Sequence, residues 1–300
     1  MKRIININTP EIPCPGSHHH TSTKLCKGFE QNGFEYIEIN SISDIEKYNG
    51  PGNFFLISNH FTTDGDKNAV YSIGSKLKDS NFICWHFNAE PDILTNMPFE
   101  KYIVTGEYYR KEPTYSKGHM ASYNRAMSLD EWVPFVFSSS LHPDDVGKLE
   151  KNIIYDSIFV GYPYKKDWVS SLDRCFSYFS NAESNFISEE DRVNAYLSSR
   201  VCLGFHSEAN IKNNCIVERV FEGMSYGCAV ISDNESAEEL TNGIVKKVSS
   251  LEETRYYVDL YRENTELFKD VQEKGYEFIK REGTYYHLAQ KMVSKLESLY

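Results

Sequence analysis

Along the chain, short apolar runs alternate with polar turns and with stretches whose apolar residues return every three or four positions. The runs predict strands at residues 3–7, 35–39, 53–58, 82–87, 101–105 and 133–137, and the stretches predict helices at 21–32, 66–78 and 119–128. Between residues 132 and 151 an apolar run enters a stretch of Ser, Pro, Asp and Gly, residue types that favour turns and caps. The pattern then restarts, with strands at 156–160, 175–179, 200–205, 228–232 and 243–248 and helices at 165–172, 188–199, 214–226 and 236–241. Helices take most of the remainder. Strands alternating with helices predict parallel sheets covered on both faces. The restart predicts two such α/β domains, residues 1–145 and 150–284. In the last segment Tyr285, Leu288, Ala289, Met292, Leu296 and Leu299 share one face of a helix over 285–300.

A length of 300 residues suits two domains. The formal net charge of −11 disfavours a protein that grips nucleic acid through its phosphates. The seven cysteines are odd in number and form no C-x-x-C pair, so neither a disulfide framework nor a zinc site is expected. No stretch has the length of a signal peptide core or a membrane span. The expected setting is cytoplasmic, with no membrane span and no nucleic acid partner.

Candidate chemistry gathers where predicted strands run into helix starts, because free N–H groups and the helix dipole favour an anion there. One place is Gly161-Tyr162-Pro163-Tyr164-Lys165-Lys166, a glycine turn followed by two ammonium groups. Taken alone, two solvated lysines would be the commoner meaning. The other is the polar loop His206 to Asn214, with Asn213 and Asn214 at its end, leading to a helix that carries Arg219 and Glu222. Arginine grips phosphate oxygens with two parallel N–H groups, and a carboxylate suits a pair of ribose hydroxyls. An isolated Arg219 and Glu222 would more often be a surface ion pair.

The run Glu222-Gly223-Met224-Ser225-Tyr226-Gly227-Cys228-Ala229-Val230-Ile231-Ser232 resembles the donor-site signature of GT-B glycosyltransferases. With Arg219 ahead of Phe221-Glu222 it most resembles the spore-maturation-protein type of family 1/4-like C-terminal domain, and more distantly the exostosin type. Trp132-Val133-Pro134-Phe135 through His142-Pro143 resembles the interdomain linker, Asp156 to Gly161 the opening strand of the second domain, and Gly283-Thr284-Tyr285-Tyr286 the closing segment. Over the first 130 residues the likeness is architectural. The resemblance implies a GT-B fold, two Rossmann-like domains facing each other across a cleft, with the helix 285–300 crossing back to the first. It implies a hexosyl- or pentosyltransferase that uses a UDP- or GDP-type nucleotide sugar, needs no metal or other cofactor, and serves a hydroxyl of a glycan or small-molecule acceptor. Glu222 would bind the donor ribose, Arg219 with Lys165 or Lys166 the diphosphate, and Gly161, His206, Asn213 and Asn214 would shape the pocket. Retaining members carry a further glutamate eight positions before the one matched by Glu222; here that position is Asn214, which puts a retaining outcome in doubt.

The first domain would supply the acceptor side from the loops Thr9 to Ser22, Asn59 to Asp66 and Asn88 to Asp92. An inverting transfer needs a base for the acceptor hydroxyl. Of His20, His60, Asp64 and Asp66, the choices are Asp64 and His20, although a loop His or Asp is usually solvated or capping. Two other readings stay open. Asp64-Gly65-Asp66 is a D-x-D, the metal-binding signature of the GT-A architecture, and the chain can also be a non-catalytic module that binds nucleotide or glycan. A nicotinamide oxidoreductase is disfavoured because no G-x-G-x-x-G follows the first strand.

Overall fold

The apolar runs of the first half become the strands of one parallel sheet. These are β1 (Arg3–Ile7), β2 (Glu35–Ile39), β3 (Asn53–Asn59), β4 (Asn81–His86), β5 (Tyr102–Gly106) and β6 (Trp132–Pro134), in the order β2-β1-β3-β4-β5-β6. The computed structural model describes residues 1–10, 16–59, 64–86, 99–106, 129–162, 164–180, 187–212 and 214–300, without the side chains of 16–19, 58–59, 64–67 and 209. The helix expected at 119–128 lies outside these residues. Parallel strands buried on both faces need apolar side chains in both directions, and β3 supplies them with Phe54, Phe55, Leu56 and Ile57. On one face Ile5, Ile7, Phe55, Ile57, Phe82 and Cys84 pack with Val70 and Ile73 of helix α2 (Asp64–Lys76) and with Leu77 just after it. Helix α1 (Gly16–Gln31) contributes buried Leu25, Cys26 and Phe29.

Two elements begin earlier than expected. Helix α1 starts at Gly16 rather than residue 21, so His20 stands on a helix, exposed, and not in a loop. Residues 16–24 (GSHHHTSTK) carry no apolar periodicity, which is the only helix signal a pattern can show. Helix α2 starts at Asp64, so Asp64-Gly65-Asp66 forms its first turn.

The chain divides into two compact units, Met1–Val136 with Tyr285–Tyr300, and Phe137–Thr284. Phe137 to Asp145, expected with the first domain, fall in the second unit, where Ser139 N–H donates to the Gly283 carbonyl at 2.9 Å. The second unit contains β7 (Tyr155–Gly161), α3 (Lys166–Ser170), β8 (Cys175–Phe179), α4 (Glu189–Leu197), β9 (Ser199–Gly204), α5 (Glu208–Lys212), α6 (Glu218–Ser225), β10 (Ala229–Ser232), α7 (Glu235–Leu240), β11 (Lys246–Lys247), α8 (Leu251–Glu263) and α9 (Thr265–Glu282). Its strands form a second parallel sheet in the order β11-β10-β9-β7-β8. Both sheets are therefore Rossmann-like. Phe159, Val201, Leu203 and Ile231 of this sheet pack with Val258 and Tyr261 of α8 and Phe268 of α9.

The helix expected over 214–226 starts four residues late. Asn214 takes a left-handed conformation, φ 56°, that a helix cannot propagate, and α6 begins only at Glu218. Once started, α6 lies directly on β9. A Cβ on Gly223 would come within 2.7 Å of the Cys202 Cβ, and one on Gly204 within 2.8 Å of Val220 Cγ2. Gly227, at φ 74°, ends the helix where any side chain would run into the Tyr276 hydroxyl. The glycines of the Glu222–Gly227 run thus set how closely α6 approaches the sheet.

Helix α10 (Tyr285–Leu299) belongs to the first unit. It buries Tyr285, Leu288, Ala289, Met292 and Leu296, five of the six residues of the expected face. Gly28 of α1 lets it approach, since a Cβ there would strike the Tyr285 carbonyl. Asn32 Nδ2 then donates to the Gly28 carbonyl at 2.8 Å and the Tyr286 carbonyl at 3.0 Å, tying the two helices.

Candidate donor site

In an open parallel sheet, ligands favour the carboxyl ends of the strands where the chain's winding reverses. In the second unit that point lies between β7 and β9, because β8 was laid on one side of β7 and β9 on the other. Gly161 ends β7 there with φ 142°. The absent side chain leaves room for Arg219 from the first turn of α6: a Cβ at 161 would lie 2.5 Å from Nη2 and 3.0 Å from Cζ. The guanidinium is stacked over the Phe159 ring, 4.7 Å from its centre, and Nη1 donates to the Phe205 carbonyl at 2.9 Å. Burial pulls its pKa below the ordinary arginine value. A cation partly withdrawn from water and held in place is a strong partner for an anion.

Beside it, His206 and Asp233 come from the ends of β9 and β10. The Asp233 Oδ1 accepts from His206 N–H at 3.0 Å and from His206 Nδ1 at 2.8 Å. The Val217 N–H donates to His206 Nε2 at 3.1 Å, which requires Nε2 to be unprotonated and places the ring proton on Nδ1. Burial depresses the His206 pKa, with the Asp233 hydrogen bond opposing it, so the ring is neutral at neutral pH. His206 is thereby engaged on both nitrogens and braces the loop instead of presenting a free group. Lys165 stands at the N-cap of α3 in the left-handed region, φ 51°, with Nζ 3.7 Å from Asp233 Oδ2 and 4.2 Å from the centre of the Trp168 ring. Lys166 Nζ lies over the Phe179 ring at 5.6 Å.

Gly161, Lys165, His206 and Arg219 thus lie together at these strand ends. Asn214 sits in the same loop system, with Oδ1 accepting from Ser236 Oγ at 3.1 Å. Glu222 does not pair with Arg219. It is buried, and its Oε2 accepts from Nη1 of Arg192 on α4. Burial works against the Arg192 charge, but the carboxylate of Glu222, with Glu218 behind it, outweighs that and holds its pKa above the ordinary value. Nη2 of Arg192 has no hydrogen-bond partner among the described residues. Asn213 and the side chain of Asp64 lie outside the described residues, as does His60.

Two participants escaped the sequence reading. Asp233 follows the apolar run of β10 directly, and its place at a strand end was the available signal. Arg192 sits in Glu189-Glu190-Asp191-Arg192, which reads as a solvated helix start; nothing local announces that it turns inward. A groove of about 390 Å³ lined by Ile154, Tyr155, Phe176 and Tyr178 reaches the opposite, amino end of β7 and belongs to a different part of the unit.

Residues 149–294 match a family described as Glycosyl transferase-like, so the second half of the chain carries a glycosyltransferase-like domain. No curated protein matches the chain. No helix among the described residues is long and apolar enough to cross a membrane.

Proposed function

We propose that the protein is a glycosyltransferase that takes a hexosyl or pentosyl group from a UDP- or GDP-type nucleotide sugar and delivers it to a hydroxyl of a glycan or other small acceptor. The observation that carries this reading is the half-buried Arg219 guanidinium held over Gly161 at the reversal point of a glycosyltransferase-like domain. Arg219, with Lys165 swinging from Asp233, supplies the charge that a diphosphate leaving group needs as the bond to the anomeric carbon breaks. Positive side chains then do what a divalent cation does in metal-dependent transferases, and no metal is required. Glu222 takes the donor ribose in this reading only together with Arg192, the two sharing the ligand hydroxyls.

The acceptor hydroxyl loses its proton to Asp64 or His20 in an inverting transfer. Asp64-Gly65-Asp66 opens a helix in place of ending a strand, which favours a base over a metal-binding pair. A thermal-shift series with UDP, GDP, ADP and their sugars, with and without EDTA, tests the whole reading. An upward shift with one nucleotide, unchanged by EDTA and lost in Arg219→Ala, is expected. A strict dependence on Mg²⁺ or Mn²⁺ would refute the metal-free site, and binding without turnover would leave a nucleotide-binding module.

A further inference from the structure

Asp233 is a carboxylate whose two oxygens are treated differently. Its side chain is only 4% exposed. Oδ1 is pinned by two N–H groups of His206. Oδ2 has no hydrogen bond among the described residues, and the nearest cation, Lys165 Nζ, stands off at 3.7 Å while facing the Trp168 ring. Buried polar atoms nearly always find a partner, and an ionised oxygen left without one is costly. The pinned oxygen cannot rotate away without breaking two hydrogen bonds, and His206, which donates both, is itself held by Val217 N–H.

The vacant acceptor lies at the end of β10, one strand from the end of β9, where Phe205 holds Arg219. A phosphate oxygen would be repelled by it. An O–H group would not, and a ligand whose diphosphate draws Lys165 away would leave Oδ2 facing its sugar. Resting on the donor-site reading above, we infer that Asp233 Oδ2 accepts a hydrogen bond from a hydroxyl of the donor's sugar, so that Arg219 reads the diphosphate and Asp233 reads the sugar. Asp233 is then a specificity-determining residue, rigidly aimed by His206.

Asp233→Asn tests this with little disturbance. The amide keeps an oxygen for the two His206 donors and turns the vacant acceptor into a donor. Calorimetric titration of wild type and variant would use UDP against UDP-glucose and UDP-N-acetylglucosamine, and GDP against GDP-mannose. The expected result is an unchanged affinity for the nucleoside diphosphate and about a tenfold weaker binding of its sugar form. Equal loss for both ligands, or no loss for either, would overturn the inference. Should the variant not fold, donors lacking single sugar hydroxyls serve on the wild type: one must bind about tenfold more weakly, and uniform binding would overturn it. A wild type that binds none of these nucleotides overturns the proposed function itself, a result distinct from the loss of sugar discrimination.

Discussion

Glu222 and Arg192 form an ion pair in which Arg192 is 9% and Glu222 2% exposed by side chain. Removing either partner leaves a charge in a place with almost no water, and such truncations cost about 3–5 kcal/mol. Glu222→Leu and Arg192→Met are therefore each expected to destabilise the second unit by that amount. At about 2–4 °C per kcal/mol for a unit of this size, the midpoint should fall by roughly 6–20 °C. The double variant removes both charges and fills the space with apolar atoms, and should return to within about 1 kcal/mol of wild type. Urea unfolding followed by far-ultraviolet circular dichroism, with fitted slopes compared across the four proteins, gives the coupling energy directly. A loss below about 1 kcal/mol in either single variant would refute the claim that the pair is desolvated. Nucleotide affinity of the double variant supplies the functional half. Restored stability with lost affinity would assign the pair to the ligand, and restoration of both would make it purely a brace for α6.

Gly161→Ala places a methyl group where the Arg219 guanidinium sits, at a φ of 142° that side chains rarely adopt; titration should show nucleoside diphosphate affinity falling about tenfold or more, with a stability loss of about 1–3 kcal/mol. Gly28→Ala drives a Cβ into the Tyr285 carbonyl, and calorimetric melting should show a loss of about 1–3 kcal/mol in the first unit. His206 has a folded-state pKa below its unfolded value near 6.5, so the unfolded chain takes up a proton first on acidification. Stability should therefore fall as pH drops from about 6.5 toward the depressed folded pKa, and His206→Gln should flatten that part of the urea-derived stability profile relative to wild type.

Much of the architecture was legible because apolar periodicity is a local property. Ile4, Ile5 and Ile7, or Val201 to Leu203, announce buried strands without reference to any other part of the chain, and the spacing from Tyr285 to Leu296 announces a helix with one face to bury. The alternation of such elements, with the restart after residue 151, determined two parallel α/β layers. Arg219, Gly161 and Lys165 were also recoverable, since each stands at the junction of a predicted strand and a predicted helix. The early start of α1 was not recoverable, because residues 16–24 have no apolar rhythm to betray a helix.

What only the tertiary structure decided were the pairings between segments distant in sequence. Glu222 reaches across 30 residues to Arg192, and Asp233 across 27 to His206. Whether a carboxylate meets water, a ligand or a buried arginine depends on how closely α6 is pressed to β9 and on which strand ends lie side by side. Those distances are set by the packing of Gly223 on Cys202 and Gly204 under Val220, contacts between elements whose relative placement is not written in the local pattern of either. Charge is a property of the residue, but its partner is a property of the fold.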